Sequence, residues 1–357
     1  MVDARILKLA EILVDHSLKV QPDEKVILAS SILGRPLIME MLRLITRKGA
    51  EGILDITFSE MPDILLSEMP EDRLDQIPEI VDYIYRHTHC LANIYAPEQA
   101  IVKAEIPLER KQRARRAMQS LRQHVLSDMR WVLCNYPTPD LAKEAGMSME
   151  DYERFFFDAC LIDWTELEQQ LAKLQEYTRK ASVVEILTPD TQLTLSLEGR
   201  SSTIGAGIKN MPDGEIFWPP VETLTEGTIY FDVPLIYDKH EVSGIELTFA
   251  AGKVVQARAE QGEAFLLSVL DTDEGARTLG EFGIGCNYGI KQYSKSILFD
   301  EKIGGTIHLA LGANVDPAGG GKNTSSIHWD LIKDLRKGGV IKIDGEVIQQ
   351  DGKFTIA

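Results

Sequence analysis

Gly304-Gly305-Thr306-Ile307-His308-Leu309-Ala310-Leu311-Gly312 and, further on, Ile327-His328-Trp329-Asp330 are the stretches whose reading decides the C-terminal fold. Both read as strands. In a strand, side chains two residues apart leave the same face, so His328 and Asp330 emerge together while Trp329 points the other way. His308 lies in the first stretch, 20 residues earlier (328 − 308). Upstream, Thr278-Leu279-Gly280-Glu281 adds a carboxylate, expected at the end of a helical insert running from Gly262 to about Gly283. Two of the seven histidines and two carboxylates thus stand among glycines and apolar residues. A solvated surface scatters its charges differently, so a metal site competes here with buried structural histidines and exposed carboxylates.

Working outward, the segments around these stretches alternate as strands do. Val183 to Leu197 reads as a hairpin about Pro189-Asp190, and Thr228–Phe231, Gly244–Phe249 and Lys253–Arg258 read as antiparallel strands. Val340–Ile343 leads to a turn at Asp344-Gly345 and a last strand. The N-terminal half has another texture. Strands at Lys25–Ala29, Gly52–Phe58, Cys90–Tyr95 and Trp131–Tyr136 are separated by helical stretches, which implies crossover units and a mainly parallel sheet. The fold class is therefore α/β: an N-terminal α/β layer domain over 1–182 and a C-terminal α+β domain over 183–357. The antiparallel strands of the second domain carry the candidate metal site.

Composition limits the partners. A chain of 357 residues is long enough for two domains. A net charge of −17 repels phosphate and argues against nucleic acid. Cys90, Cys134, Cys160 and Cys286 lie far apart without C-x-x-C spacing, as expected of a reduced, cytoplasmic protein. The N-terminus leads straight into an amphipathic pattern, and no run approaches the ~18–20 apolar residues of a membrane span, so no membrane partner is expected.

Several motifs fall away. Gly319-Gly320-Gly321-Lys322 is followed by Asn323, not by the Ser or Thr of a phosphate loop. Gly280, Gly283 and Gly285 do not match a dinucleotide fingerprint. His87-Thr88-His89-Cys90 is ligand-rich but leads into a strand of the first domain. The basic run Arg110 to Arg116 reads as a solvated helix face. What survives is Glu281 to Asp330, joined by Asn210-Met211-Pro212-Asp213-Gly214-Glu215, a turn that delivers Glu215 ahead of Ile216-Phe217-Trp218.

Asn210-x-Pro-x-Gly-Glu215, Leu279-Gly280-Glu281, His308-x-Ala-x-Gly312 and His328-x-Asp330, with Leu298-Phe299-Asp300-Glu301 between them, resemble the successive motifs of the thermophilic aminopeptidase T and aminopeptidase S-like family. The resemblance implies a dinuclear metallopeptidase that removes N-terminal residues from peptides, and a homodimer whose sites face an internal cavity. Carried over, the metal ligands are Glu215, Glu281, His308, His328 and Asp330. Glu281 is the bridging carboxylate on which catalysis is expected to rest. The cofactor is a pair of divalent ions, zinc first, with cobalt, manganese or magnesium as alternatives. With Glu281 shared, the five residues give about three protein contacts per ion, which leaves the open position of a catalytic zinc.

One position departs from the family. Seven residues after His308 the family has a tyrosine near the metals, and this chain has Val315. If that tyrosine donates to the oxyanion, its loss costs roughly 2.7–4 kcal/mol. Tyr288 and Tyr293, in the preceding loop, are the candidate substitutes. Two other readings remain open. His308, His328 and Asp330 alone form the two-histidine, one-carboxylate set of a mononuclear iron ring-cleaving dioxygenase, although Glu281 is redundant there. Val315 also fits a catalytically weak, peptide-binding homologue.

Overall fold

The computed structural model describes residues 3–98 and 106–356. The chain separates into two compact units, Met1–Leu161 with Gly207–Pro212, and Ile162–Ala206 with Asp213–Ala357. Strands are numbered in chain order.

In the first unit, β1 (Lys25–Ser31), β2 (Glu51–Thr57), β3 (Cys90–Tyr95) and β4 (Arg130–Asn135) form a parallel sheet in the order β2-β1-β3-β4. The short β8 (Asn210–Met211) joins β4, also in parallel. The α/β layering read from the sequence is present. Val26, Ile27 and Leu28 are buried in succession, as expected of a strand covered on both faces. The helix Arg35–Arg47 buries Leu37, Ile38, Met41 and Ile45 along one stripe.

The helical stretch after Ser148 is two helices, Met149–Cys160 and Trp164–Tyr177, separated where Asp163 caps the second by accepting from the Glu166 N–H. Composition placed the division near residue 182, where the strands of the second unit begin. The helix Trp164–Tyr177 nevertheless belongs with those strands. It buries Leu167, Leu171 and Leu174 and packs on β7 (Thr203–Gly205) and β9 (Glu215–Trp218).

The second unit contains two sheets. The larger has nine strands and includes the expected hairpin, β5 (Val183–Thr188) and β6 (Thr191–Ser196). Its order is β11-β12-β10-β6-β5-β17-β18-β19, with β13 on β12. These strands are β10 (Glu226–Phe231), β11 (Leu235–Tyr237), β12 (His240–Ala250), β13 (Lys253–Gln261), β17 (Val340–Ile343), β18 (Glu346–Gln350) and β19 (Lys353–Phe354).

The smaller sheet is antiparallel, in the order β16-β15-β14-β9-β7, with β14 (Leu279–Gly285), β15 (Thr306–Gly312) and β16 (His328–Asp334). Here one expectation is corrected. The helical insert covers only Glu263–Leu270, and Glu281 lies in β14. Gly280, Gly283 and Gly285 explain the difference. Each costs a helix up to about 1 kcal/mol relative to alanine, whereas in a strand the missing side chains make room for neighbours.

Candidate metal centre

All five candidate ligands stand on the small sheet, and its register brings them together. Asp330 on β16, Ala310 on β15 and Glu281 on β14 lie in one row across three strands. In the next row Ile332, His308, Gly283 and Phe217 are opposite one another, and beyond it Gly285 faces Glu215 on β9. His328 faces Gly312. By alternation these residues share one face. The other face carries Ile216, Trp218, Phe282, Ile284, Leu309, Leu311, Trp329 and Leu331, all buried, with Trp218 stacked on Phe282 at 5.7 Å between ring centroids.

Between the candidate ligands this face carries small residues, Ala310, Gly312, Gly283 and Gly285. A Cβ on Gly285 would fall 2.2 Å from the Ile303 carbonyl oxygen, and one on Gly312 would fall 2.3 Å from the Ile327 carbonyl oxygen. Gly283 is the tightest point: a Cβ there would fall 1.9 Å from His308 Nε2. At the edge strand, a Cβ on Gly205 would meet the Asp213 and Glu215 side chains at 2.4 and 3.0 Å. Of the glycines that fit no nucleotide motif, Gly283 makes room for the His308 imidazole, whereas Gly280 and Gly285 make room for the main chain at Ala313 and Ile303.

Two groups of three result. Ligand atoms of Glu215, Glu281 and His308 lie within 4.8 Å of one another, and so do those of Glu281, His328 and Asp330. Glu281 belongs to both. His308 Nε2 is 3.1 Å from Glu281 Oε1 and 3.4 Å from Glu215 Oε2, and His328 Nε2 is 3.3 Å from Asp330 Oδ2. Each imidazole is anchored through its other nitrogen: His308 Nδ1 lies 3.0 Å from the Glu301 carbonyl and His328 Nδ1 lies 2.8 Å from the Ala313 carbonyl. A carbonyl only accepts, so Nδ1 carries the proton and Nε2 is turned toward the carboxylates. This is the arrangement that orients a metal-binding histidine.

The electrostatics are those of a cation site. Burial raises the Glu215 and Glu281 carboxyls above the usual range. At Asp330 burial acts the same way, but His328, His308 and Lys302 outweigh it and hold the carboxyl low. Burial opposes charge on both imidazoles. The hydrogen bond to Glu281 and the surrounding carboxylates nevertheless hold His308 up to about 9, and Asp330 with Glu281 holds His328 up to about 10. The histidines therefore supply, as protons, positive charge that a metal would supply instead. Two buried oxygens, Glu215 Oε2 and Asp330 Oδ1, have no hydrogen-bond donor. An unsatisfied buried carboxylate oxygen is costly, and one such atom occurs in each group. The donor set of carboxylate and imidazole suits a divalent ion.

Motif reading quoted Glu301 only as part of a matching stretch and missed Lys302 altogether. Lys302 is fully buried, with Nζ 3.1 Å from Glu215 Oε1 and in contact with Glu301 Oε1. The sequence signal was slight, a Glu-Lys pair just before the Gly304-Gly305 turn. The candidate substitute tyrosines are engaged elsewhere: Tyr288 donates to the Gly352 carbonyl at 2.8 Å and Tyr293 to Asp334 Oδ2 at 2.9 Å. Val315 is exposed on the segment after β15.

Comparison with known proteins identifies the family and the fold. The model of the thermophilic metalloprotease (M29) family matches residues 2–354. Aminopeptidase 2 of Geobacillus stearothermophilus is 26% identical, aligned over 95% of this chain and 94% of its own. Aminopeptidase T of Thermus thermophilus is 34% identical over 33% of this chain and 31% of its own. The solved structure of wild-type AmpT from Thermus thermophilus superposes with a TM-score of 0.81, covering 99% of both chains at 24% identity, so the fold is shared. A metalloprotease match over nearly the whole chain favours peptide hydrolysis over iron-dependent ring cleavage. The α/β fold, the site face and these relatives lead to one conclusion: the chain belongs to the thermophilic metalloprotease (M29) family.

Proposed function

We propose that this protein is a metal-dependent aminopeptidase that hydrolyses N-terminal residues from short peptides. Two divalent ions, zinc in the first instance, would be held by Glu215, Glu281 and His308 and by Glu281, His328 and Asp330, with Glu281 shared. The observation that carries the reading is the pair of donor-less buried oxygens, Glu215 Oε2 and Asp330 Oδ1, one in each group. When bound, such ions supply an activated water and a Lewis acid for the scissile carbonyl.

The chain's own residues supply the rest. His308 and His328 are held in one tautomer by main-chain carbonyls. Glu301 lies outside both ligand groups, and burial raises its carboxyl above the usual range, as suits a proton carrier. In the reaction it accepts a proton from the attacking water as the C–O bond forms, then delivers it to the amine nitrogen as the C–N bond breaks.

We place the enzyme in the cytoplasm as a homodimer. The buried free thiols of Cys90, Cys134 and Cys286 support the reducing setting. Among the described residues no helix is long and apolar enough to cross a membrane. Phe58, Ile64, Ile80 and Tyr83 of the first unit are exposed apolar side chains that a partner copy would cover.

Metal quantification paired with chelation and reloading, read on aminoacyl nitroanilides and short peptides, tests the reading. Release of N-terminal residues that chelator abolishes and two ions per chain restore is expected. Metal-loaded protein inert on a broad peptide panel would overturn it.

A further inference from the structure

Lys302 is the feature of the site that metal chemistry does not require. A fully buried ammonium is rare unless paired, and this one is paired twice, with Glu215 Oε1 at 3.1 Å and with Glu301 Oε1 in close contact. Its backbone is fixed at both ends: the N–H donates to the Phe299 carbonyl at 3.1 Å, and the carbonyl accepts from the Asn287 N–H at 2.9 Å. The residue before it is equally constrained, since the Glu301 carbonyl receives His308 Nδ1. One short segment therefore orients a histidine through its main chain and two carboxylates through a lysine.

The pairing is selective by oxygen atom. Lys302 occupies Oε1 of Glu215, while Oε2, the donor-less oxygen, lies 3.4 Å from His308 Nε2. Glu301 is within the reach of Lys302, yet its carboxylate does not join either ligand group. A carboxylate beside two dications in a buried site is attracted strongly to them. Bound there, it would fill the open position that a catalytic centre must keep.

Resting on the two-metal reading above, we infer that Lys302 is a positioning residue that divides the carboxylates by task. It limits Glu215 to one oxygen for the ion, and it keeps Glu301 out of coordination and free to carry protons.

Cobalt substitution tests this without relying on activity, because visible d–d absorption weakens as cobalt passes from four or five ligands to six. Wild-type protein is expected to bind two Co²⁺ per chain. Glu301→Gln should keep both ions and the wild-type spectrum, with kcat reduced by about 10²-fold or more and KM little changed. Lys302→Met should also keep both ions, but its absorption should fall as freed carboxylate oxygens enter coordination. The double variant Glu301→Gln/Lys302→Met should recover part of that intensity. A changed cobalt spectrum in Glu301→Gln would overturn the inference, since Glu301 would then be a ligand. An unchanged spectrum in folded Lys302→Met would overturn it as well. Wild-type protein that binds fewer than two cobalt ions would instead contradict the two-metal reading itself.

Discussion

Two regions of this molecule are rich in metal-ligating residue types, and only one has the geometry of a metal site. His87-Thr88-His89-Cys90 is compact in sequence, but among the described residues it contributes to no group of three closely spaced ligand atoms. His87 Nδ1 lies 2.7 Å from the Tyr83 carbonyl, His89 Nδ1 accepts the Lys25 N–H at 3.0 Å, and Cys90 Sγ accepts from Arg130 at 3.0 Å. The other region draws residues from Glu215 to Asp330, and none of its five candidates is adjacent to another in sequence. Strand register gathers them on one face with small residues between them, and two carboxylate oxygens are left without donors. Proximity along the chain is a weaker indicator than a shared face with unsatisfied acceptors.

The comparison can be broken most severely at Glu281. Glu281→Gln removes the shared charge from both groups, so metal analysis should show loss of both ions, and turnover should fall by at least about 10³-fold. Gly283→Ala acts one step removed. The new methyl would displace the His308 imidazole, costing about 1–3 kcal/mol in overpacking. Calorimetric titration should then show the Glu215, Glu281 and His308 site weakened more than its neighbour. At the weakest end, a His87→Gln/His89→Gln double variant should keep metal content and kcat within about 2-fold of wild type.

Acidity sharpens the same contrast. His308 and His328 in the metal-free protein stay protonated up to about 9 and about 10. A metal must displace those protons, so apparent affinity should rise as pH is raised from about 6.5 toward 9, with proton release that titration in buffers of different ionisation enthalpy detects. The stability linkage has the opposite sign. A histidine whose folded pKa is raised stabilises the metal-free fold fully below about 6.5. That contribution is lost as pH climbs through about 9 and 10. Thermal unfolding of metal-free protein should therefore move to lower temperature over that interval.

The layered first unit and the strand character of His308 and His328-x-Asp330 were legible in the sequence, because strand periodicity and glycine punctuation are local signals. The strand containing Glu281 was not. Leu279 to Gly285 is as long as β15 and β16 but follows the helical insert, and pairing with β9 and β15 makes it a strand. The helix Trp164–Tyr177 gives a local helical signal, but its assignment to the second unit depends on which strands bury Leu167, Leu171 and Leu174. Lys302 escaped for a related reason. A lysine beside a glutamate usually marks a solvated surface, and only burial against Glu215 gives it another meaning. The suggestion that Tyr288 or Tyr293 replaces the missing tyrosine also depended on tertiary contacts, and both hydroxyls bond elsewhere.

The reading proposed for this site turns on one carboxylate, Glu281, joining two metal sites on one sheet face. Anomalous diffraction at the zinc edge from metal-loaded crystals tests it most directly. Two peaks per chain are expected, one among Glu215, Glu281 and His308 and the other among Glu281, His328 and Asp330. A single peak held by His308, His328 and Asp330, with Glu281 turned away, would contradict it.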